Sequence, residues 1–262
     1  MPLLASLGRG AVAGAVGGLL TGGFGYLLAE PVMDRAVRLE TARSSGPDGM
    51  PAHAEVFGRH TQHLGFLLAA LATGIAIGVI FGVVSAVVAR DAGPPNRDAA
   101  TPAHDPGALA RLWVTPLRLA AAGWFALFLV PFLRYPANPP GVGDPATLSL
   151  RTSGYLAALA IGLVGVLTAA LVARDLRRRA VSVPAGQLAV AAVLLATIAV
   201  SFVLPADPDA LDVPAALLWE FRVLAFASTT LLWAGLGVSF GLLQLRARSR
   251  SAASAPELQP AG

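Results

Sequence analysis

From Leu64 to Ala89 the chain runs twenty-six residues without a charged side chain, with Arg59 before the run and Arg90 closing it. A hydrocarbon layer about 30 Å thick is crossed by about 20 apolar residues in an α-helix. Within that layer every backbone N–H and C=O must be paired inside the segment, so a run of this length restricts the chain to membrane-spanning helix. Gly74 and Gly78 sit four apart inside it, a small-residue pair that lets a second helix approach closely. The same design returns near the C-terminus. Arg222 precedes an uncharged run to Leu245, Arg246 closes it, and Gly237 and Gly241 stand at the same offsets from Arg222 as Gly74 and Gly78 from Arg59. A looser copy opens at Arg151-Thr152 and closes at Arg174.

Composition agrees. The chain is 55% hydrophobic and 13% charged, about half the charged fraction of soluble domains. It has no Cys, which excludes disulfides, thiolate metal sites and Cys nucleophiles. Every one of its nineteen basic residues is Arg, and without Lys there is neither a complete Walker A motif nor Schiff-base chemistry. A pI near 10.6 could point to nucleic acid. Arg clustered beside apolar runs is instead the mark of membrane-flanking ends, so no nucleic-acid partner is expected. Abundant Ala, Gly, Pro and Arg fits a GC-rich bacterial genome.

The expected fold is all-α and polytopic, one transmembrane domain over residues 1–250. Its six helices lie near 10–29, 64–89, 112–133, 152–173, 187–204 and 223–245, followed by a disordered cytoplasmic tail at 251–262. After the Gly-rich first run, Val32, Met33, Ala36, Val37 and Leu39 fit one face of a short helix lying on the membrane surface. Residues 92–107 read as a polar linker. Only fifteen uncharged residues separate Arg118 from Arg134, so the third helix takes Arg118 as a snorkelling side chain, with a re-entrant segment as the alternative. Tyr135 to Pro145 is too rich in Pro to be helical. Counted on alternate sides, the arginines divide twelve to seven. The positive-inside tendency then places both termini in the cytoplasm and turns the Arg59, Arg151 and Arg222 mouths outward.

Candidate chemistry is sparse. His53-x-Glu55 and His60-x-x-His63 precede the second helix, and the last pair would share a helical face. Imidazole with carboxylate suits Co, Ni or Zn, and three interfacial histidines without metal is the competing reading. Gly237-Val238-Ser239-Phe240-Gly241 has the Gly-x-Ser-x-Gly form of a nucleophile elbow, which needs a strand, a sharp turn and nearby His and acid. Inside a long apolar run it reads as a helix–helix contact. Glu220 and Arg222 read as an interfacial ion pair or as part of an outer vestibule. No Asp or Glu falls within an apolar run, which argues against a buried carboxylate proton relay.

These residues resemble the CbtA family of probable cobalt transporter subunits. The resemblance rests on Glu30-Pro31, on Arg59-x-Thr61-Gln62 and on Tyr135-Pro-Ala-Asn-Pro-Pro-Gly-Val-Gly-Asp-Pro145. Arg151-Thr152 with Tyr155, and Phe221-Arg222 with Trp233 and Gly237, extend it over about residues 8–246. It implies a membrane subunit importing cobalt for corrinoid synthesis, beside a small single-span partner, CbtB, that carries metal-binding histidines. The ion would be captured by His53, Glu55, His60 and His63, with Co2+ (or Ni2+ or Zn2+) bound in transit and no resident cofactor. A scaffold or assembly partner without transport is the alternative; a membrane enzyme is the third reading.

The runs also suggest three tandem hairpins, helices 1–2, 3–4 and 5–6, each outgoing helix ending near a Pro (Pro31, Pro131, Pro205). Parallel repeats of this kind would gather the returning helices around a centre, glycine faces inward. Arg59, Arg151 and Arg222 would then meet at one outer mouth, paired with the carboxylates of Glu30, Glu55, Asp144 and Glu220, with Asn138 in the Pro-rich loop beside them.

Overall fold

Each long apolar run is a helix, and every helix but the fifth outlasts its run, because the hydrocarbon fixes only the uncharged part of it. The computed structural model describes residues 3–44, 59–91, 106–140, 142–207, 209, 211 and 213–253. Among these there is no strand. α1 (Leu3–Phe24) passes through a π-helical turn (Gly25–Ala29) into α2 (Glu30–Ser44), and α3 covers Arg59–Asp91. α4 (Pro106–Trp124) passes through a second π turn (Phe125–Leu129) into α5 (Val130–Arg134). A 3-10 turn (Pro145–Thr147) leads into α6 (Leu148–Arg178), followed by α7 (Val183–Ser201) and α8 (Ala215–Ala253). Six stretches among the described residues are long and apolar enough to span a membrane. Their outward side chains, such as Leu163, Val164, Leu167 and Leu171 on α6, are apolar and exposed, as lipid contact requires.

The first π turn corrects the expectation that the first helix ends at residue 29, before Pro31; the third helix, expected over 112–133 with its end near Pro131, ends at Arg134. Proline lacks the N–H for its i−4 partner, and its ring collides with that carbonyl. Just before each proline the chain widens to i−5 bonding: Glu30 N–H donates to Gly25 O, and Val130 N–H donates to Phe125 O. The helix therefore continues through both prolines. α2 is corrected in the same way. Its stripe Val32, Ala36 and Leu39 packs on Leu217, Phe221 and Leu224 of α8, a protein contact in place of the expected membrane surface. Arg111 to Arg134 is one of the six stretches long and apolar enough to cross a membrane, as expected of the third helix.

The chain forms two compact units. The first comprises 1–23, 59–121 and 230–262. In it, Gly10, Gly14, Gly18 and Gly22 of α1 lie against Ala70, Gly74, Gly78 and Gly82 of α3 in antiparallel order. A Cβ on Gly18 would stand 2.6 Å from the Ala70 carbonyl oxygen, and on Gly78 2.7 Å from Gly14 Cα; the backbones touch. Gly17 of α1 meets Leu232 of α8, and Phe81 of α3 meets Phe240 edge-on with ring centres 5.1 Å apart. Gly237 lies against Ala120 and Gly241 against Trp113, both of α4. The Gly-x-Ser-x-Gly segment is thus ordinary helix at a packing contact.

The second unit comprises 24–58 and 122–229. α6 packs on α7 and on the second π turn, Gly162 against Ala126 and Gly165 against Thr197. Trp124, Phe128 and Phe132 gather with Phe226 of α8, ring centres 5.1 to 6.3 Å apart. All three glycine pairs of the even-numbered spans therefore face odd-numbered spans. This corrects the expected arrangement in which glycine faces meet at a shared centre. A glycine pair accepts any backbone that comes close, and the odd spans offer small residues (Gly14, Gly18, Ala120, Ala126) at the matching level.

Candidate functional site

Polar side chains of the second unit converge where α5 ends, α6 begins and α7 gives way to the segment before α8. Arg134 finishes α5. Its Nε and Nη2 donate to the Leu204 carbonyl oxygen, three residues past the end of α7, at 3.1 and 2.5 Å. Tyr135 lies under the same guanidinium, 5.1 Å from ring centre to Cζ, and its hydroxyl donates to Pro205 O at 2.8 Å. Gly154 of α6 makes room for that ring: a Cβ there would stand 2.6 Å from the tyrosine oxygen. Tyr135, Arg151, Ser153, Gly154 and Asp207 line a cleft of about 170 Å3 between α6 and the 204–207 segment.

Beyond Tyr135 the Pro-rich loop is held by hydrogen bonds. Arg222 of α8 donates from Nη2 to Asn138 Oδ1 at 2.9 Å and from Nε to Ala137 O at 3.3 Å. Asp144 closes an Asx turn, its Oδ1 accepting from Ala146 N at 2.8 Å. Its carbonyl oxygen accepts from Thr147 N at 3.1 Å and from Arg151 Nη2 at 3.3 Å. Gly143, at φ +110°, brings the loop against Arg151 and Asp209, where any side chain would collide.

Asp209 anchors the cluster, although nothing periodic in its segment marks it in the sequence. Its side chain is 2% exposed, and its Oδ2 lies 3.1 Å from Arg151 Nε. The N–H is not aimed along that line, so the contact is an ion pair without an aligned hydrogen bond. Oδ1 lies 2.7 Å from Thr147 Oγ1, which also lies 2.8 Å from Asp144 O; one hydroxyl proton serves one of them at a time. A carboxylate so far out of water is tolerable only with a charge partner, and Arg151 supplies it.

The expected site residues distribute as follows. Arg151 is paired with a carboxylate, but with Asp209; Asp144 offers it a backbone oxygen. Arg222 goes to the amide Asn138. Glu220 pairs with Arg35 of α2 and not with Arg222, because residues two apart on a helix point to different sides. Glu30 opens α2. Arg59, His60 and His63 lie in the first turns of α3, their side chains outside the described set. His53 and Glu55, residues 92–105 of the linker and 254–262 of the tail also lie outside the described residues. Among the described residues no group of three or more His, Asp or Glu could hold a metal ion.

A family model described as "Probable cobalt transporter subunit (CbtA)" matches residues 5–244. No curated protein and no solved structure matches the chain.

Proposed function

We propose, for a chain that belongs to the CbtA family of probable cobalt transporter subunits, that it is the membrane subunit of a cobalt uptake system supplying corrinoid synthesis. The observation that carries this reading is the family match over residues 5–244, which takes in all or most of each of the six apolar spans. In this reading both termini face the cytoplasm of a bacterial cell, the ion is captured outside, and a small single-span CbtB-like subunit works beside the chain. Cobalt is cargo, and moving it makes and breaks no covalent bond.

His53, Glu55, His60 and His63 are the capture residues of this proposal. Imidazole and carboxylate are ligands of intermediate hardness, suited to Co2+ and less selectively to Ni2+ or Zn2+. α3 is helical from Arg59, so His60 and His63 stand within one turn of each other. In the loop cluster, Arg151 and Arg222 are tied to Asp209 and Asn138 and act as struts. Their engagement leaves the histidine segment as the metal-facing chemistry of this proposal.

Uptake of radioactive cobalt by cells with and without this chain tests the function. Cobalt accumulation should depend on the chain; equal accumulation refutes transport and favours a scaffold. Replacing His53, His60 and His63 together by Ala should weaken uptake at limiting cobalt and spare it when cobalt is abundant. Unchanged uptake at limiting cobalt removes the capture site while leaving transport standing.

A further inference from the structure

Arg9, Arg246 and Arg250 line one cleft in the first unit, with Leu243 and Ala247 as its apolar wall. The convergence follows from the packing of α1 and α8. Gly17 meets Leu232 at one level and Arg9 meets the 243–250 segment at another, so the two helices run antiparallel. Helical side chains lean toward the N-terminus of their helix, which carries the Arg9 guanidinium toward the end where α8 finishes. On α8, Leu243, Arg246, Ala247 and Arg250 stand at i, i+3, i+4 and i+7, a single face. The cleft holds about 410 Å3. Ligand pockets run from about 300 to 1,000 Å3, a range this cleft enters and the cleft beside Tyr135 does not.

Three guanidinium groups around one space, where two apolar spans end, define the chemistry that fits. The planar fork of Arg matches pairs of phosphate oxygens. Arginines at the ends of membrane helices sit at headgroup depth. The aliphatic wall offers contact to a chain descending from that headgroup. We infer that this cleft binds the phosphate of an anionic membrane lipid, with Arg9, Arg246 and Arg250 around the headgroup and its acyl chain along Leu243 and Ala247. The inference is independent of cobalt transport.

The test uses the full chain, purified in neutral detergent and titrated with phosphatidylglycerol or phosphatidylcholine, the adducts being counted by native mass spectrometry. Wild-type protein should bind the anionic lipid at least tenfold more tightly than the zwitterionic one. Arg9→Gln with Arg246→Gln should reduce that preference to within about twofold, the loss of one bidentate phosphate contact being worth about a factor of ten. Arg177→Gln with Arg178→Gln, which removes as much charge outside the cleft, should leave the preference intact. Arg250→Gln, at an exposed position near the end of α8, gives the same reading without strain on packing and should cost several-fold on its own. Inorganic phosphate, added at the lipid's concentration, should not displace the adduct. Equal losses in the two double variants would reduce the effect to general surface charge. Displacement by inorganic phosphate would make the cleft a free-anion site, and absence of any preference in wild type would leave it no lipid; each overturns the proposal.

Discussion

Gly78→Ala puts a single methyl group where α1 and α3 bring their backbones together. The new Cβ would stand 2.7 Å from Gly14 Cα and 2.9 Å from Gly14 N, and closer still to the Gly10 carbonyl oxygen. All three obstacles are backbone, so no rotamer change relieves them. Attraction between carbons is best at about 3.5–4.0 Å, so the helices must part by about 1 Å at this level. A gap of that size forfeits about a quarter to a half of each dispersion contact it touches. Inside a bilayer dispersion is most of what holds helices together. Overpacking of this kind costs about 1–3 kcal/mol, and we expect about 2. In a chain of this size that lowers Tm by about 4–8 °C. The control is Gly8→Ala on the partner helix α1, where the added Cβ meets nothing within 4 Å. Its better helix propensity should leave stability unchanged or raise it by up to about 1 kcal/mol. Thermal unfolding of both variants in one detergent, followed by circular dichroism, decides the matter. If Gly78→Ala melts with wild type, or the two substitutions shift Tm the same way, the backbone contact is not what joins α1 to α3.

Asp209→Asn should destabilise the protein by about 1–3 kcal/mol. Breaking a fully buried pair costs about 3–5, and Arg151, at 25% side-chain exposure, recovers part of that from water. Arg151→Gln combined with Asp209→Asn should cost less than the two changes summed, and additive melting shifts would deny the pairing. Arg222→Gln and Asn138→Ala should each cost about 1–2 kcal/mol, and the double variant little more than either alone; a fully additive cycle would mean that they act separately. The chain has no cysteine of its own, so single cysteines at Ser44, Ala103, Ala146, Ser182 and Ser254 report topology directly. An impermeant thiol reagent outside the cell should label Ser44→Cys and Ala146→Cys only, and labelling at Ala103 would reverse the orientation.

The linear sequence determined the class of this protein: six apolar stretches, each with arginine at one end or both and long enough to cross a bilayer, can satisfy their backbone there only as helices. It also marked Gly74, Gly78, Gly237 and Gly241 as places of close approach, and Arg151, Arg222 and Asn138 as polar groups in need of partners. Which partners they take was decided by tertiary structure. The 3.6-residue period of a helix shows which residues share a face and carries no record of what that face will meet. Gly78 therefore found α1 and Gly241 found α4, where a returning helix was expected. The period likewise cannot show that a proline will be accommodated, since the widened turn before Pro31 lies in backbone bonding rather than in side-chain pattern. Loops carry no period at all. Arg35 meets Glu220 across 185 residues of chain, and Asp209 reaches Arg151 from a segment without repeat or motif. The Asp209 pairing exists because burial leaves a charge few tolerable neighbours, and the exposed Arg35–Glu220 pair because α2 packs beside α8; only the folded chain brings either partner within reach.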